Sequence, residues 1–242
     1  MTAAAAPEIS VVIPVYNEAN TVQEAMRRVR AFFSLKNEPW ECLVVNDGST
    51  DATREKIRSA CATDPSFRLI DFPKNRGKGA AVRAGVLAAR GAHILVTDVD
   101  LSTPIKESDR LRAALNEGND VVIGSRALKA AGCDVQQSSH RRLSGRIFNA
   151  IVKAMVLKDF LDTQCGFKCF RREAAQKLFS AQKLDGFSFD VEILWLARKA
   201  GMRVKEMPVM WRQGEDSKVR LFRDSFRMVK DLFRLKTIHG RK

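Results

Sequence analysis

The chain has 242 residues, with 42 Lys and Arg against 28 Asp and Glu for a net charge of +14, which is enough length for one large α/β domain or two small ones. The basic excess points to a polyanionic partner, either nucleic acid, an anionic membrane surface or a phosphorylated substrate; three Trp, one Tyr and no basic-aromatic motif speak against a nucleic-acid reader. No run of 18 apolar residues offers a spanning helix, and the opening MTAAAAPEIS is not expected to act as a secretory signal.

In chain order, residues 9–13 (ISVVI) are a β-branched run broken by Pro14, and Val15-Tyr16-Asn17-Glu18 leads into a helix over 21–33. The unit repeats: a strand over 41–45, the turn Asn46-Asp47-Gly48-Ser49-Thr50, and Asp51 capping a helix to residue 61. A third strand covers 67–72. After Asn75-Arg76-Gly77-Lys78-Gly79 a small-residue helix, 80–89, leads to a buried strand over 92–97 that ends at Asp98-Val99-Asp100. Pro104 introduces a helix over 105–116, with Ser102 or Thr103 as its N-cap. A strand over 120–123 reaches Gly124-Ser125-Arg126. Serial βα units with short turns predict a doubly wound, mostly parallel sheet.

Beyond Arg126 the rhythm changes. Residues 127–140 form a polar loop, and 141–160 carry Leu143, Ile147, Ile151 and Met155 at helical spacing. Residues 162–170 (DTQCGFKCF) are a loop entering a strand, followed by helices over 173–179 and 189–200, the second closed by Gly201, and a strand over 203–209. The last segment, 219–236, is a basic amphipathic helix that either lies on a membrane surface or packs on the core. The chain is thus expected to divide into a main α/β domain, 1–218, and a C-terminal segment, 219–242. His93 is read as a core side chain, His140 and His239 as solvated, and the five cysteines as reduced thiols, with Cys165 and Cys169 packing.

The loop after the first strand has no glycine, so it is not the G-x-G-x-x-G of a dinucleotide-binding unit, and Gly77-Lys78-Gly79 lacks the Ser or Thr of a P-loop. A nucleotide must therefore be held by side chains. Tyr16, Glu18, Asp47 and Asp98 all stand just past strand ends, where open α/β sheets collect their ligands. In the D-x-D, one carboxylate suits a hard divalent cation whose other ligands are substrate phosphates.

V-I-P-x-Y-N-E at 12–18, V-N-D-G-S-T-D at 45–51, N-R-G-K-G at 75–79 and D-V-D-L-S-T at 98–103 resemble, in order and spacing, the inverting family 2 glycosyltransferases. G-S-R at 124–126, D-T-Q-C-G-F-K at 162–168, F-D-V-E at 189–192 and Ser217-Lys218 narrow the resemblance to dolichyl-phosphate β-glucosyltransferases. It implies a glycosyltransferase A type fold and transfer of glucose from UDP-glucose to a polyprenyl phosphate, with Mg²⁺ or Mn²⁺ and peripheral attachment to the cytoplasmic face of a membrane. A family member using GDP-mannose or a hydroxyl acceptor, and a non-catalytic basic binding protein, are the alternatives. Carried over, the motifs give Pro14, Tyr16, Glu18 and Asp47 to uridine with Lys78 nearby, Asp98 to ribose or metal, and Asp100 to the metal. Arg126, Arg141 or Arg142, and Lys218 would gather around phosphates. Ser102 departs from the Gln of mannose synthases, and the N-terminal membrane anchor of the eukaryotic glucosyltransferases is missing, so attachment is expected elsewhere.

The acceptor decides the chemistry. An alcohol needs a base, for which Asp190 is the candidate, its bland reading being an N-terminal helix charge. A lipid phosphate is already ionised near neutral pH and needs cations to position it.

Overall fold

The computed structural model describes residues 6–130, 133, 135–136, 157, 159–212, 230–235 and 237–240. Its strands are β1 (Ile9–Val15), β2 (Trp40–Asn46), β3 (Phe67–Asp71), β4 (His93–Val96), β5 (Val121–Ser125), β6 (Val135–Gln136), β7 (Lys168–Arg171), β8 (Val204–Pro208) and β9 (Trp211–Arg212). The helices are α1 (Val22–Phe33), α2 (Thr53–Thr63), α3 (Lys78–Ala88), α4 (Glu107–Asn116), α5 (Arg172–Ala181) and α6 (Phe189–Lys199).

Seven strands make one sheet in the order β3-β2-β1-β4-β7-β5-β8. All neighbours are parallel except β7, which runs antiparallel to both β4 and β5. The doubly wound, mostly parallel sheet matches the sequence expectation; the insertion of β7 at its centre goes beyond it. Within the segment expected to be a polar loop, Val135–Gln136 form β6, which pairs in parallel with β9 as a separate two-stranded sheet.

Alternation along the strands builds two cores. Ile9, Val11, Ile13 and Val15 of β1 face α1, α2 and α4, together with Val44, Leu95 and Val122. Val12 faces the other way, with Leu43, Val45, Ile94, Ile123 and Phe170, against α3, α5 and α6. With helices on both faces the strands need apolar side chains on both sides, which is why they read as continuous apolar runs.

Pro14 does not end β1, contrary to expectation. Thr97 N–H donates to Val12 O and Asp47 N–H to Val15 O, so even-numbered residues of β1 bond toward β4 and odd ones toward β2. Pro14 stands on the β4 side just past the last β4 partner, Val96, where no ladder bond needs its missing N–H. Helix α4 likewise starts later than predicted: Pro104 and Ile105 form a turn, with Glu107 N–H donating to Pro104 O, and Lys106 takes the cap position.

The end of the chain is docked rather than solvated. Residues 230–235 are helical; Leu232 and Leu235 are buried while Phe233 is 66% exposed. Ser188 Oγ donates to Asp231 (2.9 Å), Lys183 Nζ to Ile238 O (2.7 Å), and His239 Nε2 lies 2.5 Å from Glu192 Oε1 with its ring against Trp195. The expectation that His239 is solvated is therefore overturned, because a buried carboxylate on α6 takes it as partner. His93 is buried on β4 as expected, yet its Nδ1 lacks a hydrogen-bond partner among the described residues. His140, Arg141, Arg142 and Lys218, and most of the two amphipathic segments expected over 141–160 and 219–236, lie outside the described residues.

Candidate active site

The sheet changes winding direction between β1 and β4, and the loops at the carboxyl ends of these strands and of β2 open into one crevice, as open α/β sheets do at a switch point. The first two loops are knitted together. Asn17, at φ 54°, donates its N–H to Ser49 Oγ (2.9 Å) and accepts from Thr50 N–H (2.8 Å), while Glu18 N–H donates to Thr53 Oγ1 (2.8 Å). Asn tolerates this left-handed backbone better than other side chains. Tyr16 beside it is 39% exposed. Gly48, at φ +68°, lets the second loop approach the chain at Lys74, whose carbonyl carbon would be 2.2 Å from a Cβ at that position.

Asp47 is buried and organises the third loop. Its Oδ1 accepts from Arg76 N–H (2.7 Å), its Oδ2 from Gly77 N–H (2.9 Å) and Asn75 Nδ2 (2.9 Å). Burial pushes its carboxyl above the ordinary range, and the two backbone donors only partly offset this. These three bonds use most of a carboxylate's roughly four acceptor sites. The loop so held delivers α3, whose first residue, Lys78, places its ammonium 2.6 Å from Asp98 Oδ1.

Asp98 is the hub. Gly166 makes room for it: a Cβ there would meet Asp98 Oδ2 at 2.1 Å. Burial would raise its carboxyl, but Lys78 above all, then Lys168 and Arg126, hold it below the usual range. Lys78 in turn resists the effect of burial, through Asp98, Asp190 and Asp100, and stays above the usual lysine range. The pair is charged at neutral pH on both sides. Lys78, Lys168, Asp190 and Gly166 border the same small cavity.

Asp100 differs in being exposed. Its carboxylate accepts from Ser102 through N–H (2.9 Å) and Oγ–H (2.6 Å), so Ser102 supports the D-x-D and does not cap α4. No group of three or more His, Cys, Asp or Glu that could hold a metal occurs among the described residues. A hard oxygen donor at the surface, with Asp98 already ion-paired behind it, fits Mg²⁺ or Mn²⁺ sharing its coordination with substrate phosphates and water.

The far wall contains residues that sequence reasoning missed. Arg126 forms a bidentate pair with Asp162, Nε to Oδ2 (2.6 Å) and Nη2 to Oδ1 (2.8 Å), and its backbone N–H also donates to Oδ2 (3.0 Å). Burial would raise the Asp162 carboxyl, and Arg126 more than offsets it. The Arg126 guanidinium lies 5.7 Å from the Trp211 ring centroid. Lys168 Nζ sits 2.5 Å from Asp190 Oδ1, with both side chains buried. Asp162 and Lys168 open and close the D-T-Q-C-G-F-K motif; that motif was the signal, but its individual roles were not assigned. Cys165 and Cys169 are buried free thiols, pushed up to about 11 and about 12 by burial, as packing residues should be.

The structure thus brings Tyr16, Glu18, Asp47, Lys78, Asp98 and Asp100 to loops of one sheet edge, with Arg126 and Asp190 on the opposite wall; Pro14 lies within β1 beneath them. A family model described as Glycosyl transferase family 2 matches residues 10–179. The dolichyl-phosphate beta-glucosyltransferase of Dictyostelium discoideum is 34% identical over 240 residues, covering 94% of this chain and 73% of that protein. The Homo sapiens protein of the same name is 36% identical over 248 residues, covering 96% and 76%. Among solved structures, glucosyl-3-phosphoglycerate synthase from Mycobacterium tuberculosis in complex with UDP superposes with a TM-score of 0.71 at 20% identity, over 98% of this chain and 82% of that one. The same enzyme with Mn²⁺, UDP and glucosyl-3-phosphoglycerate gives 0.70 at 19% identity, over 94% and 79%.

Proposed function

Since this chain belongs to glycosyl transferase family 2 and is a glycosyltransferase, we propose that it transfers glucose from UDP-glucose to a polyprenyl phosphate of the dolichyl type, with inversion to a β-linked product. The named activity of its relatives supports the sugar and the lipid. In this reading Pro14 and Tyr16 form the platform for uracil, Glu18 and Asp47 meet its polar edge and the ribose, and Lys78 steadies Asp98 beside them. Asp100, with Asp98 behind it, would hold Mg²⁺ or Mn²⁺, which when bound stabilises the charge of a departing nucleoside diphosphate.

The observation that carries the choice of acceptor is the 2.5 Å Lys168–Asp190 pair. A buried carboxylate committed to an ammonium is poorly placed to collect a proton from an alcohol, because protonation would leave the lysine charge buried without its partner. A phosphate with a second pKa near ~6 needs no base, only positioned cations. Arg126 supplies one, and Arg141 or Arg142 and Lys218 would supply others. Among the described residues no helix is long and apolar enough to cross a membrane. Peripheral attachment at the cytoplasmic face, through residues 219–242, completes the proposal; exposed Phe233 beside buried Leu232 and Leu235 is the surface feature that favours it.

Incubation with UDP-glucose or GDP-mannose, each with a short polyprenyl phosphate or the corresponding polyprenol, tests the reading by product analysis. The expected product is β-linked polyprenyl-phosphate glucose, formed from UDP-glucose and the phosphate alone. Transfer to the alcohol, or from GDP-mannose in preference, overturns it.

A further inference from the structure

The Arg126–Asp162 pair is itself held from outside the crevice. Glu206, in the middle of β8, accepts from Leu161 N–H through Oε2 (2.8 Å) and from Asp162 N–H through Oε1 (2.7 Å). Two successive backbone donors on one carboxylate fix both the position and the tilt of that peptide, as a nest fixes an anion. The held residue then clamps Arg126 three times, through Nε, Nη2 and the backbone N–H. β8 pairs with β5 in register, Glu206 opposite Ile123, so the strand that carries the support is hydrogen-bonded to the strand that delivers Arg126.

The Arg126 fork has two edges. Asp162 occupies the Nε/Nη2 edge, which leaves the Nη1 donors and the second Nη2 hydrogen to meet an anion end-on. We infer that Glu206 is a positioning residue for the reaction: through Asp162 it aims the outer edge of Arg126 at a substrate phosphate. This rests on the reading of Arg126 as a phosphate-binding cation. It assigns a transfer role to a strand residue whose partners are the backbone amides of Leu161 and Asp162.

The test is a double-mutant cycle in the full chain, with initial rates measured for UDP-glucose and a short polyprenyl phosphate. Glu206→Ala is expected to reduce kcat/KM for the polyprenyl phosphate on the order of 10-fold, short of the roughly 10²-fold that a 1 Å misplacement can cause, with UDP affinity unchanged. Glu206→Gln keeps one acceptor oxygen and should recover part of the loss. In an Arg126→Ala background, Glu206→Ala should cost nothing further. A purely structural role would instead give additive losses and lowered UDP affinity, and either result overturns the inference. A defective Arg126→Ala beside a normal Glu206→Ala also rejects it, while leaving the phosphate reading intact. If Arg126→Ala itself uses polyprenyl phosphate normally, it is the phosphate reading that fails. Should Glu206→Ala not fold, the same cycle is run with Glu206→Gln, and additivity there counts equally against the inference.

Discussion

The two walls of the crevice are built differently. On the side of β1, β2 and β4, Tyr16, Asp47 and Asp98 each follow a parallel strand within two residues, and the loops after β1, β2 and β3 hold one another through hydroxyls and backbone amides. On the opposite side the functional groups come as ion pairs between distant positions: Arg126 with Asp162, 36 residues apart, and Lys168 with Asp190, 22 apart. The first wall has one such pair, Lys78 with Asp98, and is otherwise a set of short loops. The second is a set of buried charges that the fold must hold before any ligand arrives.

Substitutions should separate the two walls. The largest expected effect is at Asp100, where Ala should reduce transfer below detection and abolish metal-stimulated UDP binding in titration calorimetry. The site is exposed, so stability should change by no more than about 0.5 kcal/mol. Metal-stimulated UDP binding that survives the change would move the metal site elsewhere. On the opposite wall the order reverses: Lys168→Ala leaves Asp190 buried without its partner and should cost about 3–5 kcal/mol in urea unfolding, whereas Asp190→Asn still accepts from the ammonium and should retain measurable transfer. An Asp190→Asn protein that is folded but inactive would make Asp190 a base after all.

Gly166→Ala probes the seam between the walls, since its Cβ would lie 2.1 Å from Asp98 Oδ2. Pushing Asp98 off Lys78 should weaken UDP binding at a stability cost of about 1–3 kcal/mol, and unaltered UDP affinity would show that Asp98 has room to spare. The smallest effect is in acid. Asp162 and Asp98 titrate below the usual carboxylate range in the fold, so their stabilisation is complete above the unfolded value of about 4 and is lost as the pH falls through the lower folded values. Asp47, raised by burial, works in the opposite sense. Asp162→Asn should therefore flatten the loss of stability below pH ~4 in denaturant titrations; an unchanged slope would remove the Arg126 pair from the acid response.

The same contrast explains what could be read from the chain. The units β1 to α4 were legible because each strand, turn and helix carries its own local signal, and Tyr16, Glu18, Asp47 and Asp98 sit in those turns. Pro14 misled because its effect depends on where a neighbouring strand stops, which no local pattern records. β7 is four residues long and its partners lie far away in sequence, so neither its direction nor its central place could be inferred from periodicity. Asp162 and Lys168 were visible as letters of a motif, but an ion pair is a property of two positions, and only the fold supplies the second. His239 was missed for the same reason: its partner, Glu192, lies on another helix.

The central place of β7 also bears on how the molecule is made. β4 and β5 do not pair with each other; each pairs with β7, so the middle of the sheet cannot close until residues 168–171 have been synthesised. At roughly 5–20 residues per second, the nascent chain waits several seconds after β5 emerges with a gap where its principal strand belongs. During that interval the facing edges of β4 and β5 are unpaired backbone, the kind of surface that recruits strands from other chains. A fragment ending before Lys168 would keep both edges permanently open, so the two halves of this protein are not separable folding units, whatever the division of labour between the walls of its crevice.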